Sequence, residues 1–172
     1  MENKDNPMRK LLIKKIVINI GVGESGEKLS RAEKLLEILT GRKPVKTLCK
    51  KRIPAWHLKK GDKIGVKVTI RKNIDEMLRK LLDAVDFKVK ESCFDRFGNF
   101  SFGIKSYIDI PGMKYIPEIG DFGMNVCVPI ERKGYRVMRR KIKRSKISNK
   151  HRVSKEEAIK FMKENFNIQI IE

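Results

Sequence analysis

Thr40–Arg71, TGRKPVKTLCKKRIPAWHLKKGDKIGVKVTIR, carries Arg42, Lys43, Lys46, Lys50, Lys51, Arg52, Lys59, Lys60, Lys63, Lys67 and Arg71 against a single acid, Asp62. Within it, Pro44 to Lys50 and Ile64 to Arg71 alternate small or β-branched residues with polar ones, the pattern of half-buried strands. The stretch therefore predicts two strands joined by a long basic loop with Trp56 near its middle. Such a surface attracts a polyanion. A raised loop of this kind touches phosphates with its charges and a base or ribose with its ring. The alternative is a solvated hairpin whose tryptophan folds back onto the core.

Immediately upstream, Lys10 to Ile20 (KLLIKKIVINI) reads as a further strand, nearly saturated with apolar residues after Ile16 and so expected near the middle of a sheet. Asn19 interrupts that run. A polar side chain there is either a satisfied structural amide or a group displayed for a ligand. The following GVGESG, Gly21 to Gly26, matches G-x-G-x-x-G between a strand and a helix, the setting of a dinucleotide fingerprint. About 20 residues on, where an acid should hold the ribose, the chain reads Pro44, Val45, Lys46, and a tight strand-to-helix turn becomes the default. Two amphipathic helices are predicted. Glu27 to Leu39 carries Leu29, Ala32, Leu35, Leu36 and Leu39 on one stripe and ends at Gly41, while Asn73 to Val85 is capped by Asn73 and striped by Ile74, Met77, Leu78, Leu81, Leu82 and Val85. Both are expected to cover one face of the sheet, leaving the other face, with Asn19 and Thr69, free.

From Phe87 the pattern turns to strand and turn, with a turn at Gly98-Asn99, a surface loop from Asp109 to Phe122 and a late strand from Gly123 to Ile130. Asp95, Asp109, Glu118 and Asp121 show no spacing of a carboxylate couple or metal cage. Between Arg132 and Arg152 there is no acid at all. This run repels itself, should be poorly ordered alone, and should order along phosphates. Ser154-Lys155-Glu156-Glu157 is a capping box that opens a helix over Lys155 to Asn165 with Ala158, Ile159 and Met162 inward. Ile168 to Ile171 closes the chain as a short strand.

Composition bounds the class. In 172 residues, 41 Lys plus Arg against 21 Asp plus Glu give a net charge of +20, which points to nucleic acid or an anionic membrane surface. No apolar run approaches the ~18 to 20 residues of a membrane span and no signal-peptide pattern opens the chain, so membrane work is the weaker option. Cys49, Cys93 and Cys127 are dispersed and odd in number, as in a reduced cytosolic protein, and with only His57 and His151 to join them a structural zinc site is not expected.

NPMRKL (6 to 11), NIGVGESGEKL (19 to 29), LTGRKPVKT (39 to 47), KKGDKIGVKVTIR (59 to 71), FDRFGNFSFGI (94 to 104) and GMNVCV (123 to 128) occur in this order. Together they resemble the large-subunit ribosomal proteins of family five, which anchor 5S rRNA in the central protuberance. HRVSKEEAIKFM (151 to 162) and the basic insertion before it resemble the archaeal and eukaryotic branch, nearer the archaeal one. The resemblance implies a single α+β domain over 1–172. It has an arm (1–9), a mainly antiparallel sheet with helices on one face and RNA on the other, a basic insertion (131–153) and a C-terminal helix and tail (154–172).

Carried over by residue, the resemblance implies 5S rRNA binding by Asn19, Arg42, Lys43, Lys46, Thr47, Lys50, Lys67, Thr69 and Arg71. Arg42 stands where the family has a glutamine, which exchanges an amide for a phosphate-capable donor. The loop that reaches peptidyl-site tRNA matches Arg52, Trp56, His57, Lys59 and Lys60, with Pro54 and Trp56 replacing a smaller motif that has phenylalanine. Other rRNA would lie on Arg136, Arg139, Arg140, Lys141, Lys143, Arg144, Lys146, Lys150 and Arg152. Implied partners are 5S rRNA, large-subunit rRNA, peptidyl-site tRNA and neighbouring ribosomal proteins, among them another 5S-binding protein and a small-subunit head protein. The implied place is the cytoplasmic large subunit, with no cofactor, metal or membrane. An enzyme acting on nucleotides rests only on GVGESG and lacks a general base, nucleophile couple or metal set; a DNA-architectural protein is the third reading.

Overall fold

In the computed structural model, which describes residues 6–171, the sheet is built around one long strand. Of the expected arm, only Asn6–Arg9 falls in that range, as a turn closed by Arg9 N–H donating to the Asn6 carbonyl at 2.9 Å; the rest lies outside the described residues. Strand β7 (Met124–Arg132) pairs antiparallel with β6 (Asn99–Ile104), with β2 (Ile16–Gly21) and with β1 (Leu11–Ile13). Beyond β2 come β4 (Lys63–Ile70) and the edge strand β3 (Val45–Leu48), all antiparallel. Helix α1 (Glu27–Thr40) links β2 to β3, and α2 (Ile74–Asp83) follows β4. A short parallel pair, β5 (Lys88–Lys90) with β8 (Gln169–Ile171), brackets the C-terminal helix α4 (Lys155–Phe166), and α3 (Arg136–Arg139) is a single turn after β7.

Period-two burial decides which face receives the helices. Ile16, Ile18 and Ile20 of β2, Val66, Val68 and Ile70 of β4, Phe100, Phe102 and Ile104 of β6, and Met124, Val126, Val128 and Ile130 of β7 are all buried. They share one apolar cluster with Leu29, Ala32, Leu35 and Leu36 of α1, Leu78, Leu81 and Leu82 of α2, and Ala158, Met162 and Phe166 of α4. At roughly 1.5–3 kcal/mol for each large side chain taken from water, this layer is the main favourable term in folding. The α+β class, with helices on one face of a mainly antiparallel sheet, is the one the resemblance implies.

Several local readings need correction. The single strand expected over Lys10 to Ile20 is two: the four steps along the chain from Ile13 to Val17 face only three from Cys127 to Ile130, and the extra residue is taken up at Lys14-Lys15. That bulge reverses the alternation, so Leu11 and Ile13 join Ile16 and Ile18 against the core. Asn73 does not cap α2 with its side chain. Its backbone is left-handed (φ 52°, ψ 44°), a conformation asparagine tolerates, and Asp75 and Glu76 instead face the positive end of the helix. The Asp109 to Phe122 loop is anchored rather than simply superficial: Ile110 and Ile119 are buried, and the buried Tyr107 hydroxyl accepts from Ile116 N–H at 2.9 Å. The expected ends at Gly41 and Ser154 hold. Gly41 has φ 62° with its N–H on the Glu37 carbonyl, and Ser154 and Glu157 form the reciprocal capping box.

One close approach ties β4 to both neighbours. A Cβ on Gly65 would lie 2.8 Å from the Ile20 carbonyl oxygen and 2.9 Å from Thr47 Oγ1. Gly65→Ala is expected to lower unfolding free energy by about 1–3 kcal/mol, the usual cost of overpacking, because backbone is what must move. Urea unfolding checks this; an unchanged midpoint would mean that the β2 backbone at Ile20 and the Thr47 side chain both yield freely.

Candidate nucleic-acid interface

Alternation leaves the other sheet face to polar and small side chains. Strand registers set them in rows: Val45, Lys67, Asn19, Asn125 and Gly103 run across five strands, Thr69, Val17, Cys127 and Ser101 form the next row, and Thr47, Gly65 and Gly21 a third. Lys67, Asn125, Cys127 and Ser101 are exposed, and Asn19, Thr47 and Thr69 half-buried. Among the described residues, the side chains of Asn19, Thr47, Lys67, Thr69, Ser101 and Asn125 make no hydrogen bond to the protein. Asn19 is thus a displayed amide. Sequence reasoning misses its cross-strand neighbour Asn125 and the next-row Ser101, although NFSFGI and MNVCV alternate polar with apolar as β2 does.

The structure divides the other residues expected on this surface. Lys46 sits opposite Val66, on the helix side, where its Nζ is 2.9 Å from Glu33 of α1, so it does not share the face with Lys67 and Thr47. Sequence pattern alone puts Lys46 together with Thr69 on the hairpin; parity separates them. Arg42 is half-buried beside Lys72, Asn73 and Glu76 where β4 passes into α2, also off the open face. Lys43, Lys50 and Arg71 are exposed at strand ends.

The loop between β3 and β4 is closed in two places. At its base Cys49 N–H donates to the Asp62 carbonyl at 2.7 Å and Gly61 N–H to the Cys49 carbonyl at 2.9 Å. Further out, Ile53 and Leu58 exchange N–H···O bonds of 3.0 and 3.1 Å around a single 3₁₀ turn, Pro54–Trp56, and His57 turns the chain back with φ 54°. Asp62, the lone acid of the region, is spent on structure: its Oδ2 accepts from Lys59 N–H at 2.7 Å. Leu58 points in and Trp56 is 70% exposed. The ring is therefore at the tip and not folded back, with Arg52, His57, Lys59 and Lys60 exposed around it.

The basic segment after β7 also has a definite course rather than the loose one expected. Its anchors are two acids outside it. Buried Arg132 donates to Glu157 of α4 at 2.6 Å, and Arg139 donates to buried Glu131, a bond that raises the pKa of the guanidinium. Tyr135 is 9% exposed and its hydroxyl accepts from Val153 N–H at 3.2 Å, pinning the far end of the segment. Arg140 Nε donates to the Lys143 carbonyl at 2.7 Å. Arg152 lies over the Phe97 ring at 5.4 Å. Arg136, Lys141, Lys143, Arg144, Lys146 and Lys150 remain at least partly open to solvent. Among the described residues, no helix is long and apolar enough to cross a membrane.

Comparison with known proteins identifies the family. Residues 6–59 match the family model described as ribosomal protein L5, and residues 63–161 match the model of the same ribosomal family's C-terminus. The junction falls at the base of the Trp56 loop, yet β2 from the first part lies between β4 and β7 of the second, so both parts build one sheet. The chain is 56% identical over 169 residues to large ribosomal subunit protein uL5 of Nanoarchaeum equitans (97% of this chain, 99% of that protein). It is 52% identical over 170 residues to that of Sulfolobus acidocaldarius (98% and 96%). With that of Picrophilus torridus it shares 47% over 173 residues (99% and 98%). A face of unpaired polar groups, a rigid basic loop and near full-length identity of this order converge: the chain belongs to the ribosomal protein L5 family, in its archaeal form, a non-enzymatic structural constituent of the large ribosomal subunit associated with ribosomal RNA.

Proposed function

We propose that the open sheet face binds 5S rRNA and attaches it to the central protuberance, and that the loop from Arg52 to Lys60 reaches peptidyl-site tRNA. The observation that carries the first part is the row Lys67, Asn19, Asn125, polar groups without protein partners held side by side on three central strands. Amides and hydroxyls there meet 2′-hydroxyls and base edges, while Lys43, Lys50, Lys67 and Arg71 meet phosphates. The exposed bases of the segment after β7 lie along large-subunit rRNA. Another 5S-binding protein and a protein of the small-subunit head are the expected protein neighbours.

Affinity for 5S rRNA should fall about a thousandfold between ~50 and ~200 mM salt if some six phosphates are neutralised. Lys67→Ala should reduce the slope of log affinity against log salt by about one, as for any phosphate-contacting lysine. Lys46→Ala should reduce it less, because Glu33 already engages that ammonium. Filter binding over a salt series measures both, and equal effects would mean that Lys46 turns to the RNA on binding.

Asn19→Leu or Thr69→Val should each weaken 5S rRNA binding by about 1–3 kcal/mol with unchanged thermal unfolding, since each leaves an RNA polar group unpaired. If the protein unfolds while affinity per folded molecule stays put, these side chains serve the fold.

Trp56→Ala combined with Lys59→Ala and Lys60→Ala should leave assembly into large subunits normal yet weaken peptidyl-site tRNA binding, the lost ring accounting for at most about 1–3 kcal/mol of stacking. Variant ribosomes titrated with tRNA give the answer. Failure to assemble would assign the loop to rRNA instead.

A further inference from the structure

Where the segment after β7 folds back over the sheet it borders a half-open pocket of about 340 Å³, lined among others by Phe97, Asn99, Glu131, Met138, Arg139 and Arg152. This volume lies at the lower end of the ~300–1,000 Å³ typical of ligand pockets. Glu131 is only 2% exposed, and among the described residues its Oε2 has no hydrogen-bond partner; Arg139 occupies the other oxygen. A buried carboxylate oxygen left unpaired is costly, and each such group in a native fold calls for an explanation. Asn99 supplies a second acceptor, because its amide nitrogen is used on Asp95 at 2.7 Å and its side-chain carbonyl oxygen is unpaired among the described residues. Glu131 Oε2 and the Asn99 carbonyl oxygen are thus the pocket's unpartnered acceptors, its walls are apolar or aromatic, and its rim carries the guanidinium donors of Arg139 and Arg152.

We infer that this cavity is a receptor for a single unstacked nucleotide base of RNA, guanine in preference, whose Watson–Crick edge donates to Glu131 Oε2. A free amine or a lysine side chain would also satisfy the carboxylate, but it would have to enter past Arg139 and Arg152 at the edge of a segment that contains no acid from Arg132 to Arg152. A nucleotide reverses that penalty: its phosphate meets the cationic rim while its flat face lies against Phe97 and the Arg152 guanidinium, which already stacks on that ring. Guanine is favoured because its N1–H and exocyclic amino group lie side by side on one edge, matching a carboxylate, whereas uracil offers one imino donor between two acceptors. Arg139 is 45% exposed and holds Oε1, while Oε2 is itself buried, so binding requires the Arg139 side chain to swing aside as the edge enters. The segment read from sequence as a phosphate contact thereby also reads a base.

The test is titration of the full chain with 5′-GMP, 5′-UMP, spermidine and inorganic phosphate, followed through backbone amide shifts by NMR. GMP is expected to move the amides of Glu131, Met138 and Arg152 and to bind at least about tenfold more tightly than UMP or phosphate, the margin a second edge hydrogen bond supplies. Glu131→Gln should erase that preference and keep phosphate binding. Should that variant fail to fold, Met138→Lys, which brings an ammonium into the cavity, should block GMP while leaving amides of the open face unmoved. Equal binding of GMP, UMP and phosphate would reduce the segment to phosphate contact, and spermidine binding to these amides more tightly than GMP would make the occupant a cation; either result overturns the proposal. The titration uses no 5S rRNA, so its failure leaves the reading of the open face untouched.

Discussion

The strict two-residue alternation of an antiparallel sheet is the constraint on which everything else depends. It sorts each strand into a buried column and a displayed one, and a slip of one residue would exchange them. In β2 the displayed column is Val17 and Asn19, and in β4 it is Lys67 and Thr69, while Ile16, Ile18, Val66 and Val68 lie under the helices. The same parity that fills the core therefore assembles the polar rows. A mutation that shifts register would cost the fold and the polar face together. The bulge at Lys14-Lys15 shows the converse, since one inserted residue returns Leu11 and Ile13 to the core side after two lysines have been let out.

Rigidity is the second theme. Ordering a loop on binding costs free energy per residue fixed, so a loop already closed by the Ile53–Leu58 pair and by the Asp62 carboxylate on Lys59 N–H presents Trp56 at a lower entropic cost. Pro54 restricts φ at the start of the 3₁₀ turn, and His57 takes the left-handed conformation that reverses it. The one acid of the hairpin is a turn device, and its oxygen is engaged by the backbone while the bases around it stay free for a polyanion.

Period and caps made the helices readable: the stripes of α1, α2 and α4, Gly41 and the Ser154–Glu157 box are where the pattern puts them. What the pattern could not show was pairing across distance. Lys46 looks like any other base of its stretch until β3 is set against β4 in register, which turns it to Glu33 on α1. Asn73 has the right residue type for a cap, but its backbone is left-handed and its side chain makes no cap bond. Asn125 and Ser101 were legible as alternate polar positions but gained meaning only when β7 came to lie between β2 and β6. Arg42 illustrates a further limit, since it runs with Lys43 in the chain while its side chain lies beside the start of α2.

The basic segment shows how a chain of net charge +20 keeps its densest cationic stretch attached without RNA. From composition alone, self-repulsion predicts a loose insertion. The structure offsets it with two carboxylates that flank the run: Glu131, just before it on the displayed side of β7, holds Arg139, and Glu157, beyond it in the first turn of α4, holds Arg132. These two pairs, with Tyr135 bonded to the backbone at Val153, define the ends of the segment, and the bases between them project outward. Glu157 is also half of the capping box of α4, so one side chain starts the last helix and tethers the segment before it. A few buried contacts of known geometry thus decide where many exposed charges lie.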